Sequence, residues 1–355
     1  MNEGNNTSKK KVSKNLIWAL ISLVLAVITI RVVLKQSEDI SVSDLINVVR
    51  NSDKLFFSLS VAASFLFVWF EGVAIRSILK HSGYNRKPLQ GLMYSTSDIY
   101  FSAITPSATG GQPASAFFMI KDGIPAGIVT ATLVLNLMMY TISIIVLGII
   151  AIILDPGAFF GFSTLSKTFI AIGFAVMLLL AACFFVLLKK ESLLFKPLTK
   201  IIDFLHRKRI IKEKEHLLAK INKTSSDYRS CSELISGHSS LLFWAFIWNI
   251  LQRASQIIVP VFVFVATGGA KDLMASVFSR QCLITIGYNF VPIPGGMGIS
   301  DYLMIDGFCS IMEESVAYSV ELISRGITFY ICVTISGIIT LVGYLIGKHL
   351  GGRSE

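Results

Sequence analysis

The chain alternates between long apolar runs and short polar or basic joints. An apolar run of about twenty residues, 16–34, follows Lys9, Lys10, Lys11 and Lys14. It is long enough to span a bilayer. No A-x-A-like cleavage site follows, so the pattern predicts a retained first helix rather than a signal peptide. In residues 37–54, Ile40, Leu45, Ile46, Val48 and Val49 are apolar among polar neighbours, which suits a short amphipathic helix on the outer surface. Further spanning helices are predicted at 55–79, 125–153, 163–188, 241–267 and 316–347.

Two apolar runs do not read as ordinary spans. ITPSATGGQP (104–113) and VPIPGGMGIS (291–300) put prolines and adjacent glycines inside apolar sequence, which no continuous helix tolerates. Non-helical backbone survives at membrane depth only inside protein or beside water. The basic joints decide how these segments run. If 89–121 dips into the bilayer and returns, every Lys/Arg cluster falls on one side, as the positive-inside rule requires. The same reading makes 273–312 a dip from the opposite side. The expected fold is an all-α integral membrane protein of about six full spans and two re-entrant broken hairpins. Span, hairpin, span (55–79, 89–121, 125–153) then recurs upside down as 241–267, 273–312, 316–347. Inverted repeats with a break at the same place in each half point to a transport site. The divisions are a basic N-terminus (1–14), a membrane half (15–188), a linker (189–240), a second membrane half (241–347) and a tail (348–355).

Composition agrees with this reading. The chain of 355 residues is 53% hydrophobic and only 15% charged, against roughly 25% charged in soluble domains. Its net charge of +10 sits at the ends of apolar runs, where it sets topology and implies no nucleic acid. Residues 189–240 hold twelve Lys/Arg against six Asp/Glu. They are too few for an ordinary enzyme domain and suit amphipathic helices, either at an anionic lipid surface or as a solvated charge run. The five cysteines lack CxxC spacing; no disulfide framework, metal or cofactor is expected. No Ser/His/Asp or Cys/His set appears, since His206, His216 and His238 all lie in the basic stretch.

The breaks carry the candidate chemistry. Pro113 suits the first turn of a new helix, beside Gly110, Gly111 and Gln112, with Thr105 and Ser107 ahead of them. In the second break Ser300 is the expected cap of a helix from Asp301, and Gly295, Gly296 and Gly298 allow close backbone approach. Two helix N-termini meeting there would favour an anion such as phosphate. Charges inside spans need a partner or a wet cavity: Glu71, Arg76, Arg253, Glu321 and Arg325 are of this kind. Glu321 and Arg325 have i,i+4 spacing and Arg76 can snorkel. Arg253 lacks a local acid and is the leading anion ligand, with a structural pairing to Glu71 as the alternative. Asp98, Asp301 and Asp306 flank the breaks as helix caps or proton carriers.

FSAITPSATGGQPASAFFMIKDGI and NFVPIPGGMGISDYLMIDGF, with ELISRGITFY downstream, resemble the lysylphosphatidylglycerol synthase transmembrane-region family. That family is the flippase-like domain of the multiple peptide resistance factor. The pairing of PSATGGQP with PIPGGMG is its most specific piece, and the resemblance runs from about residue 15 to 347. It implies a multi-pass protein of the bacterial plasma membrane, with both termini cytoplasmic, that handles phospholipid or glycolipid head groups. In full-length members a soluble domain transfers lysine to phosphatidylglycerol. The sequence ends at GGRSE, soon after its last span, so the expectation is the membrane part without the transferase. Three readings stay open: a lipid flippase without catalysis, the membrane component of a phosphatidylglycerol lysyltransferase serving cationic antimicrobial peptide resistance, and an ion- or proton-coupled carrier. A separate transferase chain and a second copy of this chain are the protein partners to consider.

Overall fold

The computed structural model describes residues 48–105, 109–208, 214–291, 293, 296 and 298–351. The expected first helix at 16–34, most of the 37–54 segment, and Ser107 and Gly295 in the breaks lie outside the described residues. What is described is all-helical apart from turns and joints.

Helix α1, Lys54–His81, starts where Asp53 Oδ1 accepts from the Leu55 and Phe56 amides at 2.8 and 3.3 Å, an N-cap that satisfies two orphan donors. Its buried residues, among them Ser60, Ser64, Phe67, Glu71, Ile75 and Ile78, recur at helical spacing, so one stripe carries Glu71 into the interior. Helix α2, Pro88–Ile104, begins on Pro88 and turns back at Thr105 into α3, Gly111–Lys121. The Thr105 hydroxyl donates to Phe101 O at 2.6 Å and accepts from Gly110 N at 2.9 Å, stitching the turn. At the other end, Gln90 Nε2 and Tyr94 Oη donate to Asp122 Oδ2 at 3.0 and 2.5 Å. The first turns of α2 and the end of α3 therefore lie together, so the two helices form a hairpin.

Helix α4, Ala126–Leu154, is buried on most sides, and α5, Thr164–Lys189, buries few of its residues. The basic linker forms α6, Ser192–Arg207, and α7, Lys214–Gly237. One face of α7 docks on protein: Tyr228 and Ile235 are buried with Ala131 and Leu135 of α4. The expected 241–267 helix is divided into α8, Ser239–Ile257, and α9, Val259–Ala266. Pro260 near the α9 start explains the division, because it cannot donate back into α8.

The second hairpin is α10, Met274–Asn289, and α11, Ile299–Cys309. Arg280 Nε donates to Ser310 Oγ at 2.9 Å, tying its start to its end. Arg280 Nη1 also meets Asp155 Oδ2, beyond α4, at 2.8 Å. The last span is α12, Glu314–Arg325, a π-turn at Gly326–Ile331 and α13, Cys332–Gly351. By length and composition five stretches can cross a membrane among the described residues: α1, α4, α5, α8 with α9, and the last helix from Glu314 to Leu345. The protein is an all-α membrane protein. Packing is reciprocal: α2 of the first hairpin lies against α13, while α10 of the second lies against α4.

Candidate functional site

The two hairpins and the spans between them enclose a cavity of about 510 Å³. The buried stripe of α1 brings Glu71 to its wall, α2 brings Asp98, and Gln112 comes from the first turn of α3. Helix α8 carries Asn249, Gln252 and Arg253 on its buried side. Helix α4 adds Tyr140, α10 adds Gln281 and Asn289, and the second hairpin adds Gly296 and Ser300. Ser324 and Arg325 come from the end of α12. All but Gly296 sit in helices of largely apolar sequence, where polar groups turn to neighbouring helices or to the cavity.

Arg253 is 7% exposed. Its guanidinium lies between two rings, 4.2 Å from the Tyr140 centroid and 4.8 Å from that of Phe67. Stacking of this kind favours a desolvated cation. Nη1 donates to Gln256 Oε1 at 2.8 Å, while buried Nε meets no hydrogen-bond acceptor. Glu71 takes its bond from Gln252 Nε2 at 3.1 Å instead, and the ion pairs among the described residues are made elsewhere. Arg325 Nε contacts Asp301 Oδ1 at 2.7 Å and is 3.8 Å from Glu321 Oε1. The expected Glu321–Arg325 pair is thus the longer of two contacts, and Asp301 dominates.

The helix ends differ from expectation in an instructive way. Asp98, read from sequence first as a cap, belongs to the cavity. Its Oδ2 accepts from Gln112 Nε2 at 2.6 Å and its Oδ1 from Ser102 Oγ at 3.1 Å. A Cβ at Gly111 would stand 2.0 Å from Asp98 Oδ1 and from Ser102 Oγ, so the start of α3 rests directly on this carboxyl. In the second hairpin α11 begins at Ile299 rather than Asp301. Its capping acceptor is Asp301 Oδ2, which takes Gly298 N at 2.8 Å. Ser300 lies inside the first turn and donates to Asp301 Oδ1 at 3.1 Å, so Ser300 is not the cap. Each positive helix end therefore already faces one of the protein's own carboxyls, and the positive charge left for an external anion rests on the arginines.

The remaining candidates divide simply. Gln112, Arg253, Gly296, Ser300, Arg325 and Glu71 meet around the cavity. Thr105, Gly110 and Gly111 build the turn of the first hairpin, and Gly298, at φ +81°, begins α11. Gly296 also has positive φ, +64°, and a Cβ there would press on the Tyr288 ring at 2.6 Å. Arg76 is not brought to the cavity. Its Nε donates to Arg86 O at 2.9 Å and its stem lies over Gly91. Asp306 accepts from Ser163 N at 2.9 Å at the start of α5. Sequence reasoning followed charges and passed over the neutral polar lining of Tyr140, Gln252, Gln281, Asn289 and Ser324. Polar residues recurring at helical spacing in otherwise apolar runs were the signal.

A curated relative, a UPF0104 membrane protein of Pyrococcus horikoshii, is 23% identical over 308 residues, covering 83% of this chain and 89% of that protein. Residues 17–336 match the family described as the lysylphosphatidylglycerol synthase TM region. Both hairpins and the cavity between them fall within the matched residues, so the resemblance of the two proline–glycine breaks extends to nearly the whole membrane part. The chain belongs to the lysylphosphatidylglycerol synthase TM-region family.

Proposed function

We propose that this protein is a flippase-like translocator that admits the head group of an anionic or modified phospholipid or glycolipid between its two hairpins. Its family makes it a membrane protein of lipid metabolism or transport. The observation that carries the finer reading is Arg253: buried, stacked between two rings, with a donor unanswered at the wall of a cavity. A guanidinium edge fits a phosphate in bidentate fashion. The cavity volume suits a head group, since small-ligand sites run to about 300–1,000 Å³. The reciprocal packing of α2 on α13 and of α10 on α4 supports an inverted repeat of two re-entrant hairpins. Such repeats rock around a central site. In this scheme both termini and 189–240 are cytoplasmic and residues 155–157 face outward.

The test is movement of labelled anionic, lysylated and glycosylated lipids by the purified protein in vesicles. Arg253→Ala should abolish movement and Arg253→Lys should impair it, with both proteins still folded. A purely structural Arg253 paired with Glu71 predicts instead that Arg253→Ala misfolds and that adding Glu71→Ala restores level and activity. Rescue by that double change would remove Arg253 from the head-group site.

A further inference from the structure

Two groups of the same composition line or adjoin the cavity, one in each half. In the first, Glu71 of α1 and Asp98 of α2, each 6% exposed, hold their carboxyls within hydrogen-bonding reach of one another, in the field of Arg253. In the second, Glu321 of α12, 8% exposed, stands in the same relation to Asp301 of α11, with Arg325 contacting both. Each group joins a hairpin carboxyl, a span carboxyl and one arginine. Fully ionised, each would leave one negative charge uncompensated in a largely buried site, which is strongly unfavourable. Two carboxylates in contact do not both ionise readily. One proton between them makes each group neutral and supplies the hydrogen bond that fastens hairpin to span.

A second observation places a polar ligand between these groups. Ser324 Oγ, on the cavity wall beside Arg325, is 1% exposed and meets no partner. Gln112 Oε1, Gln252 Oε1 and Arg253 Nε are likewise buried without partners on the same wall. The other titratable groups facing the first set are Tyr140 and Cys332, and those facing the second are Tyr288 and Tyr330; α9, packed on both α1 and α12, brings none. Phenols and thiols ordinarily titrate well above neutrality, which leaves the carboxyl pairs as the groups able to exchange protons there.

We propose that each carboxyl pair carries one exchangeable proton, and that losing it releases the adjoining hairpin from its span, so that protons drive the lipid movement. This rests on the translocator reading and adds its energy source. Neutral pairs hold both hairpins closed. A deprotonated pair repels itself and loosens its hairpin from its span, the proton passing to water in the cavity; an entering phosphate that takes up the arginine's charge favours reprotonation of the pair and closure.

The first measurement needs no lipid substrate: the infrared C=O stretch of protonated carboxyls in purified protein at pH 7.5, in dodecyl maltoside, which has no carbonyl of its own. Two such signals are expected. Glu71→Gln or Asp98→Asn should remove one, and Glu321→Gln or Asp301→Asn the other. Absence of protonated-carboxyl signal in the wild type, which requires no variant to fold, would overturn the proposal, as would signals that survive all four changes. The second measurement is movement of labelled phosphatidylglycerol in vesicles under an imposed pH gradient. One proton per lipid gives about tenfold asymmetry per pH unit, abolished by a protonophore. Movement indifferent to the protonophore would overturn the coupling and leave translocation intact. Signals that behave as expected with no lipid moved would overturn translocation and coupling together, leaving two proton-binding pairs.

Discussion

Replacing Gly111 with alanine tests the contact on which the first hairpin closes. The added Cβ would stand 2.0 Å from Asp98 Oδ1 and from Ser102 Oγ, where ordinary contact begins at 3.4 Å, and 2.6 Å from the Asp98 carbonyl oxygen. Backbone is among the obstacles, so rotating a side chain cannot relieve the clash, and α3 must back away from α2 by about an ångström or more. That stretches the 2.6 Å bond from Gln112 Nε2 to Asp98 Oδ2 beyond hydrogen-bond length. Overpacking costs about 1–3 kcal/mol and a lost bond to a charged group about 1.5–3 kcal/mol. With partial relaxation, a net of ~3 kcal/mol corresponds to a roughly 150-fold rise in the population of the opened state. Cys231, Cys282 and Cys332 are buried and Cys183 and Cys309 exposed, so thiol labelling after Cys183→Ser and Cys309→Ser reads this opening directly. Cys332 is the sensitive reporter, because Leu92 and Ile99 of α2 pack against the buried cluster it shares with Phe67 and Val68. Its labelling should accelerate by about two orders of magnitude in Gly111→Ala, and lipid movement should fall. Gly237→Ala, where an added Cβ meets nothing within 4 Å, should change neither. Wild-type labelling of Cys332 in Gly111→Ala would refute the close approach.

Arg280→Ala should cost ~3 kcal/mol, since it takes the charge partner from Asp155 and the donor from Ser310; thermal melts in detergent measure it. The Ser276 hydrogen bond, with Arg280, holds the Asp155 carboxyl below its ordinary value. Its contribution to stability is therefore present above the ordinary carboxylate range and lost as pH falls through the lowered value. Below about pH 4 the wild-type melting temperature should drop more steeply than that of Asp155→Asn. For topology, Glu215→Cys should label only after the membrane is permeabilised and Gly157→Cys from outside intact cells; the reverse pattern would invert the scheme.

The helical class and the two breaks were legible because membrane depth imposes strong rules on backbone. Prolines and paired glycines inside an apolar run interrupt its helix, and in each broken segment the two flanking helices lie side by side, joined by the Tyr94–Asp122 and Arg280–Ser310 contacts. The site was legible in part. Arg253 stood out because it has no acid near it in sequence, and it does line the cavity. Asp98 was expected beside the first break, and seven residues before Thr105 its side chain does reach the start of α3; that the same carboxyl lines the cavity depends on the helix face, which sequence distance from a break does not give. The meeting of Glu71 with Asp98, and of Asp301 with Glu321, joins residues from separate helices and has no local signature. Single-helix reasoning instead favoured the i,i+4 pair of Glu321 and Arg325.

The wide turn at Gly326–Ile331 sets the phase of the last span. A π-turn inserts one residue into the helical count, and at 3.6 residues per turn that rotates everything beyond it by about 100°. The face of α12 that bears Glu321 and Arg325 therefore does not continue along α13. The helix instead presents Gly337 to the Tyr100 ring and Gly343 to the Met93 side chain, both on α2. Deleting one residue from the turn would give a smoother helix with better hydrogen bonds, yet it would swing those two glycines off α2 and bring bulkier neighbours against it. Locally the more regular helix is the better one, and for the assembly it is the wrong one. Changes of length in this span should thus be tolerated beyond Gly347, where Lys348 ends the apolar stretch, and not between Arg325 and Gly343.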